Sequence, residues 1–311
     1  MSLSGRIGTL RNEIRFTIMI MIQLTGGLGN QMFQYAAGRA LASRHSTDLK
    51  LDISWYSEAT KGTERIFGLD RFSITAEIAM PDEIYRFAQP KLGMLGLIQS
   101  LRARLGLSQN QRVREQEWIS VFRFASTRRN YQLTGYWQSE EYFKESRATL
   151  LKEFELKTTP SHQSHAIAQH IRDSQSVSLH VRRGDYVSNP KYTHKYGVLP
   201  LQYYSNAVRY ITDCIENPLF FVFSDDPAWV FEHLEIPFPM HIVDHNGSEN
   251  PHEDIWLMSK CNHHIIANSS FSWWGAWLGQ HPNKIVCSPA RWYAGREVQP
   301  ENLIPKEWIQ L

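Results

Sequence analysis

Cysteine is scarce in this chain. Its 311 residues contain only Cys214, Cys261 and Cys287. An odd number at wide spacing excludes a disulfide framework and reads as isolated core thiols in a reducing compartment. Long hydrophobic runs are also missing. The longest early run, Phe16 to Leu24, is about half of the ~18 residues that span a bilayer. Arg6, Arg11 and Arg15 precede it, as in a signal peptide, but it leads into Thr25-Gly26-Gly27-Leu28-Gly29-Asn30 and not into a small-residue cleavage site. It therefore reads as a buried first strand, with residues 1–17 as an extension before it. A charge excess is absent too: 33 Lys+Arg against 31 Asp+Glu leave a net charge of +2, which argues against a general nucleic-acid binder. No short repeat, heptad run or low-complexity tract is present.

What is there is a globular composition, 42% apolar and 21% charged, at a length that suggests about two domains. The spread is lopsided. Trp229, Trp256, Trp273, Trp274, Trp277, Trp292 and Trp308 fall in the last third, and of the 13 histidines only His45 precedes residue 160. The apolar run 18–24, a glycine turn, a helix over 31–44 and a strand over 49–53 make one βαβ unit. The segment 131–137 and a helix-like stretch over 139–152 close the first half. Thr158 to His162 reads as a linker. After it come a helix over 165–173, strands at 177–181, 219–223, 241–244, 264–267 and 285–287, and helices at 201–215, 252–260 and 272–278. The expected architecture is α/β: two doubly wound Rossmann-like domains, 18–160 and 161–311, facing across a cleft.

Ligands of parallel α/β sheets sit beyond the carboxyl ends of strands, and the polar clusters fall there. Gly26-Gly27-Leu28-Gly29-Asn30-Gln31 can admit an anion to backbone N–H groups or be a tight strand–helix turn. It completes neither a G-x-G-x-x-G fingerprint, because Met32 holds the third position, nor a P-loop. His180-Val181-Arg182-Arg183-Gly184-Asp185-Tyr186 puts two guanidiniums at a strand end. They suit phosphate oxygens, or pair with Asp185 and other carboxylates. Strand alternation lets at most one of them leave on the side of His180 unless Gly184 re-aims Arg183. The embedded Arg-Gly-Asp follows a core strand and is no free adhesion loop. Ser224-Asp225-Asp226-Pro227 can read a guanine edge or ribose hydroxyl, or cap a helix starting at Pro227. Asn268-Ser269-Ser270-Phe271-Ser272-Trp273-Trp274 can form a diphosphate nest or plain helix caps, with the tryptophans as core. Cys261-Asn262-His263-His264 lacks a companion pair for a metal. Glu253 and Asp254 suit a helix N-terminus, and Asp254 can also face a nucleotide.

The ordered set 25–35, 180–186 and 268–274 resembles the bacterial α-1,2-fucosyltransferases of glycosyltransferase family eleven, over roughly residues 20–290. The resemblance implies a GT-B-type fold, GDP-β-L-fucose as donor, and a terminal β-galactoside of an O-antigen, capsule or similar glycan as acceptor, free or lipid-linked. It further implies inversion, no metal and no other cofactor. By position, Arg182 and Arg183 fall on the pair that holds the diphosphate and fucose, with Arg183 as the expected catalytic cation. His180 falls near guanine, and Ser224, Asp225 and Asp226 on the guanine-reading segment. Asn268, Ser269 and Ser270 fall on the phosphate nest, and Gly27, Asn30 and Gln31 on the loop facing the donor. Asp185 is the local candidate for a base, although pairing with the arginines favours a structural role. Together the arginines form a local cationic site under the near-neutral total. The alternatives are a transferase of another nucleotide sugar and a non-catalytic carbohydrate-binding protein. Residues 91–114 put Leu95, Ile98, Leu101 and Leu105 on one helical face beside Arg102, Arg104, Arg112 and Arg114. That face reads as a solvated helix or as a peripheral contact with the inner face of the membrane, for a chain expected in the cytoplasm.

Overall fold

The computed structural model describes residues 18–57, 65–87, 110–115, 129–295 and 302–311. In the first half, β1 (Ile20–Gln23) is followed by α1 (Leu28–Arg44), β2 (Leu49–Asp52), α2 (Ser54–Ser57), β3 (Glu77–Ile78), α3 (Pro81–Tyr85), β4 (Asn110–Arg114), β5 (Asn130–Thr134) and α4 (Arg147–Glu153). The second half runs α5 (His162–Arg172), β6 (Gln175–Val181), α6 (Gly184–Ser188), α7 (Pro190–Tyr196), α8 (Leu201–Cys214), β7 (Pro218–Ser224), α9 (Pro227–His233), β8 (Met240–Val243), α10 (Pro251–Lys260), β9 (His263–Ile265), α11 (Ser270–Leu278), β10 (Val286–Ser288) and β11 (Ile309–Gln310). The strands form two sheets, ordered β3-β2-β1-β5-β4 and β11-β10-β9-β6-β7-β8. Every named strand pair is parallel.

Such sheets are covered on both faces, which is why their strands read as unbroken apolar runs rather than alternating ones. Ile20, Met21 and Ile22 are fully buried, as are Phe220, Phe221 and Val222 in β7. The glycine turn is shorter than expected: α1 starts at Leu28, so Leu28, Gly29 and Asn30 form its first turn. The stretch 139–152 is not one helix. Two 3₁₀ turns (Glu140–Tyr142 and Lys144–Ser146) precede α4, separated by Phe143 at φ −144°. Arg112 and Arg114 lie on strand β4, not on a helix, and Arg112 donates to Gln132 at 2.8 Å. The rest of the supposed basic helix, residues 88–109, lies outside the described residues. No helix among the described residues is long and apolar enough to cross a membrane.

The tryptophans of α11 fix how the halves meet. Phe33 of α1 packs on Trp273 and Trp274 at ring distances of 4.4 and 5.0 Å, and Phe143 stacks on Trp274. Trp274 donates its indole N–H to the carbonyl of Gly29 at 3.0 Å, and Trp277 donates to Glu140. The two helices approach so closely that a Cβ on Gly29 would lie 2.6 Å from the backbone carbonyl carbon of Ser270. Truncating a fully buried Trp of this kind costs about 3–5 kcal/mol. The junction between the halves is thus a packed core, and their carboxyl-edge loops are held in fixed register around a cleft.

Candidate active site

A cleft of about 510 Å³ opens at the carboxyl edges of both sheets. The first half contributes Gly27, Leu28, the segment Arg65–Gly68, Asp70 and Arg71. The second contributes His180, Arg182, Gly184, Asp185, Ser224, Asp225, Asp244, Glu249, His252, Asp254 and Phe271, among others.

The strand geometry of β6 decides which arginine enters. His180 and Arg182 are two residues apart, so they share a face, and both line the cleft. Arg183 goes the other way and is not among the lining residues. Its guanidinium lies 3.8 Å over the Trp229 ring, and its Nε donates to Asp226 at 3.2 Å. The following glycine does not re-aim it. Gly184 instead makes room for Asp225, whose Oδ2 would stand 2.2 Å from a Cβ there.

Arg182 is clamped. Its Nη2 donates to Asp185 at 2.5 Å, and its Nη1 lies 3.0 Å from Asp225. Burial opposes its charge, but Asp225 and Asp185 outweigh that and hold the guanidinium above its ordinary pKa. The other oxygen of Asp185 accepts from Arg65 of the first half, also at 2.5 Å. One carboxylate therefore gathers two guanidiniums, one from each half. With each oxygen holding a charged donor, Asp185 is built to position those cations and poorly placed to take a proton.

Two buried nitrogens among these lining residues make no hydrogen bond within the chain: Nε of Arg182, a donor, and Nδ1 of His180, a donor or an acceptor according to the tautomer. Burial, with Arg182 adding to it, pushes the His180 pKa down to about 3, so its imidazole is neutral. Asp254, also in the lining, accepts from Asn246 at 2.7 Å. Burial raises its carboxyl to about 7 against that hydrogen bond, with Glu253 adding to the rise. The lining holds three arginines (Arg65, Arg71, Arg182) and six carboxylates (Asp70, Asp185, Asp225, Asp244, Glu249, Asp254). The expected cationic patch is therefore corrected to a local guanidinium fork in a mixed lining. Among the described residues no group of three His, Cys, Asp or Glu side chains could hold a metal ion.

The remaining candidates mostly build the walls. Asp225 is engaged by Arg182 and accepts from the backbone N–H of Arg183 at 2.8 Å. Asp226 caps α9, accepting from Trp229 N–H, and its own N–H donates to Ser224 Oγ. Asn30 and Gln31 do not line the cleft. Asn30 accepts from Gln138 at 2.8 Å. Gln31 donates to the Ile66 carbonyl and accepts from Gly68 N–H, fastening the segment that carries Arg65. Asn268 is buried, donating to the carbonyls of Tyr196 and Trp292. Ser269 caps α11, and Ser270 abuts Gly29. Neither serine lines the cleft. Arg65 and Arg71 are not legible in the sequence, because Arg65 sits on an irregular segment and Arg71 ends a short 3₁₀ turn (Leu69–Arg71), with no strand end or spacing to mark either.

The family model described as glycosyl transferase family 11 matches residues 108–311. The chain belongs to that family. This family 11 glycosyltransferase is 33% identical over 302 residues to an α-1,2-colitosyltransferase of Escherichia coli, covering 94% of this chain and 99% of that protein. It is also 33% identical over 304 residues to the O-antigen biosynthesis glycosyltransferase WbnK of the same organism, covering 93% and 99%. Among solved structures it is similar to the NodZ α-1,6-fucosyltransferase co-crystallized with GDP, with a TM-score of 0.52 and 14% identity over 83% of this chain and 91% of that one. The shared fold is the GT-B type, an α/β architecture of parallel sheets.

Proposed function

We propose that this family 11 enzyme transfers L-fucose from GDP-β-L-fucose to the 2-OH of a terminal β-galactoside, with inversion and without a metal ion. The observation that carries the reading is the convergence of Arg182 and Arg65 on Asp185 in the lining of the cleft, with the buried Nε of Arg182 left without a partner. An unsatisfied buried donor is costly in a folded protein. A ligand rich in acceptor oxygens, as a diphosphate is, would satisfy that donor and pair with both guanidiniums.

In the reaction the acceptor oxygen bonds to the anomeric carbon as the bond from that carbon to the phosphate oxygen breaks. The electron pair leaves on GDP, and the acceptor hydroxyl gives its proton up to water. Arg182 and Arg65, converging on Asp185, would stabilise the charge developing on the departing diphosphate. Arg183, the cation expected from sequence, lies behind the wall and would act by holding Asp226. Asp254 is the carboxylate best suited to guanine: Asp225 and Asp226 are committed to arginine and backbone, whereas the ionised Asp254 can accept from the two N–H groups of the guanine edge.

A second reading differs only in the sugar. The relative at 33% identity is named for colitose, so GDP-colitose is the competing donor. A panel of GDP-sugars with small β-galactosides, followed by linkage analysis of the product, tests both. A fucosylated or colitosylated 2-OH product identifies the donor, and no transfer from any GDP-sugar overturns the reading.

A further inference from the structure

Beside Arg182, at the carboxyl edges of the two sheets, lies a group of side chains to which the functional reading gives no role. Tyr186, against which Arg182 lies at 5.3 Å, stacks on Tyr196 at 4.8 Å with the rings 5° from parallel. Next to it the ammonium of Lys195 faces three rings: Tyr196 at 4.7 Å, Tyr293 at 5.7 Å and Tyr136 at 5.9 Å. Tyr196 and Tyr293 belong to the second half. Tyr136 belongs to the first, two residues past the carboxyl end of β5. It is 44% exposed. Tyr56, whose hydroxyl donates to the Gly26 carbonyl, lies near both Arg65 and Tyr136. None of Tyr136, Lys195, Tyr196 and Tyr293 lines the cleft proper. No carboxylate among the described residues pairs with Lys195.

The occupant follows from position and chemistry. With the nucleotide held in the cleft by Asp254 and Arg182, this surface, which joins Arg182 through Tyr186 and does not line that cleft, is left for the acceptor. A pyranose has an apolar C–H face and a rim of hydroxyls. A flat, half-exposed tyrosine and an ammonium with three donors match those two features. We propose that Tyr136 and Lys195 form the subsite for the sugar ring adjoining the terminal galactose of the acceptor, Tyr136 as the stacking face and Lys195 as a donor to its hydroxyls. The proposal rests on the glycosyl-transfer reading above and adds where acceptor length is sensed.

The test compares a monosaccharide acceptor with a disaccharide on the full chain. Methyl β-D-galactoside and lactose are titrated with the GDP-sugar that the donor panel identifies, and GDP binding is measured by calorimetry. Wild type should show a lower KM for lactose. Tyr136→Ala should raise the lactose KM roughly fivefold, the size of one aromatic contact, and leave the methyl galactoside KM and the GDP affinity unchanged. Tyr136→Phe should retain the lactose preference, and Lys195→Met should weaken it. The subsite is wrong if wild type treats both acceptors alike, if the lactose KM of Tyr136→Ala does not move, or if both acceptor KM values rise together. A wild-type chain that neither binds GDP nor transfers to a galactoside overturns the functional reading instead, and the subsite with it.

Discussion

Arg182 and Arg183 are adjacent, of one residue type, and at the same strand end, yet the fold gives them opposite surroundings. Arg182 shares a face with His180, is held by Asp185 and Asp225, lines the cleft, and keeps one buried donor unpartnered. Arg183 lies over Trp229 and against Asp226, at the start of α9. The lesson is that alternation along a strand outranks composition in deciding which of two identical side chains meets a ligand. A cation clamped by carboxylates with a donor left over is prepared for an anion. One that caps and stacks is part of the wall.

The largest expected effect tests that contrast directly. Arg182→Ala should lower kcat/KM on the order of 10²–10³-fold, as removal of a charge-stabilising donor does elsewhere, with the fold retained by circular dichroism. A loss below tenfold would break the comparison. Next comes the pH dependence of nucleotide binding. Asp254 titrates near pH 7, so its ionised fraction rises from about one tenth at pH 6 to about nine tenths at pH 8. GDP affinity should therefore rise up to about ninefold over that range and be flat in Asp254→Asn, as measured by calorimetry. The stability effect has the opposite sign. A carboxyl raised in the folded state binds more protons there than when unfolded, so its contribution declines as pH climbs from about 4 to about 7. Asp254→Asn should flatten that decline in thermal melts. The smallest effect belongs to Arg183→Ala. Loss of a partly exposed ion pair and a ring contact costs about 1 kcal/mol, a Tm lower by about 2 °C, with turnover within a few-fold of wild type. Loss of turnover at unchanged Tm would reverse the assignment of the two arginines.

Much of the fold was legible, because continuous apolar runs ending in polar clusters are what doubly covered parallel strands require. The strand ending at Val181 stands where its residues suggested, the helix read from Ser272 begins two residues earlier at Ser270, and the glycine turn is confined to Gly26–Gly27 because α1 already starts at Leu28. Side-chain destinations were harder to read. Gln31, in the glycine motif, braces the 65–68 segment from within, a contact made over 37 positions of chain. Arg65 reaches Asp185 across 120 positions. Such pairs are set by how the halves pack, through Gly29, Trp274 and Phe143, and no local spacing encodes them. The same packing explains the serines at 269 and 270: a helix N-terminus offers N–H groups to an anion only where nothing else covers it, and here it abuts α1.

The most direct test of the account is a structure of the chain with GDP bound. The account predicts diphosphate oxygens within hydrogen-bond distance of Arg182 Nε and the guanine edge on Asp254, with Arg183 still over Trp229. A diphosphate held by Arg183, with Arg182 Nε left unpartnered, would contradict it.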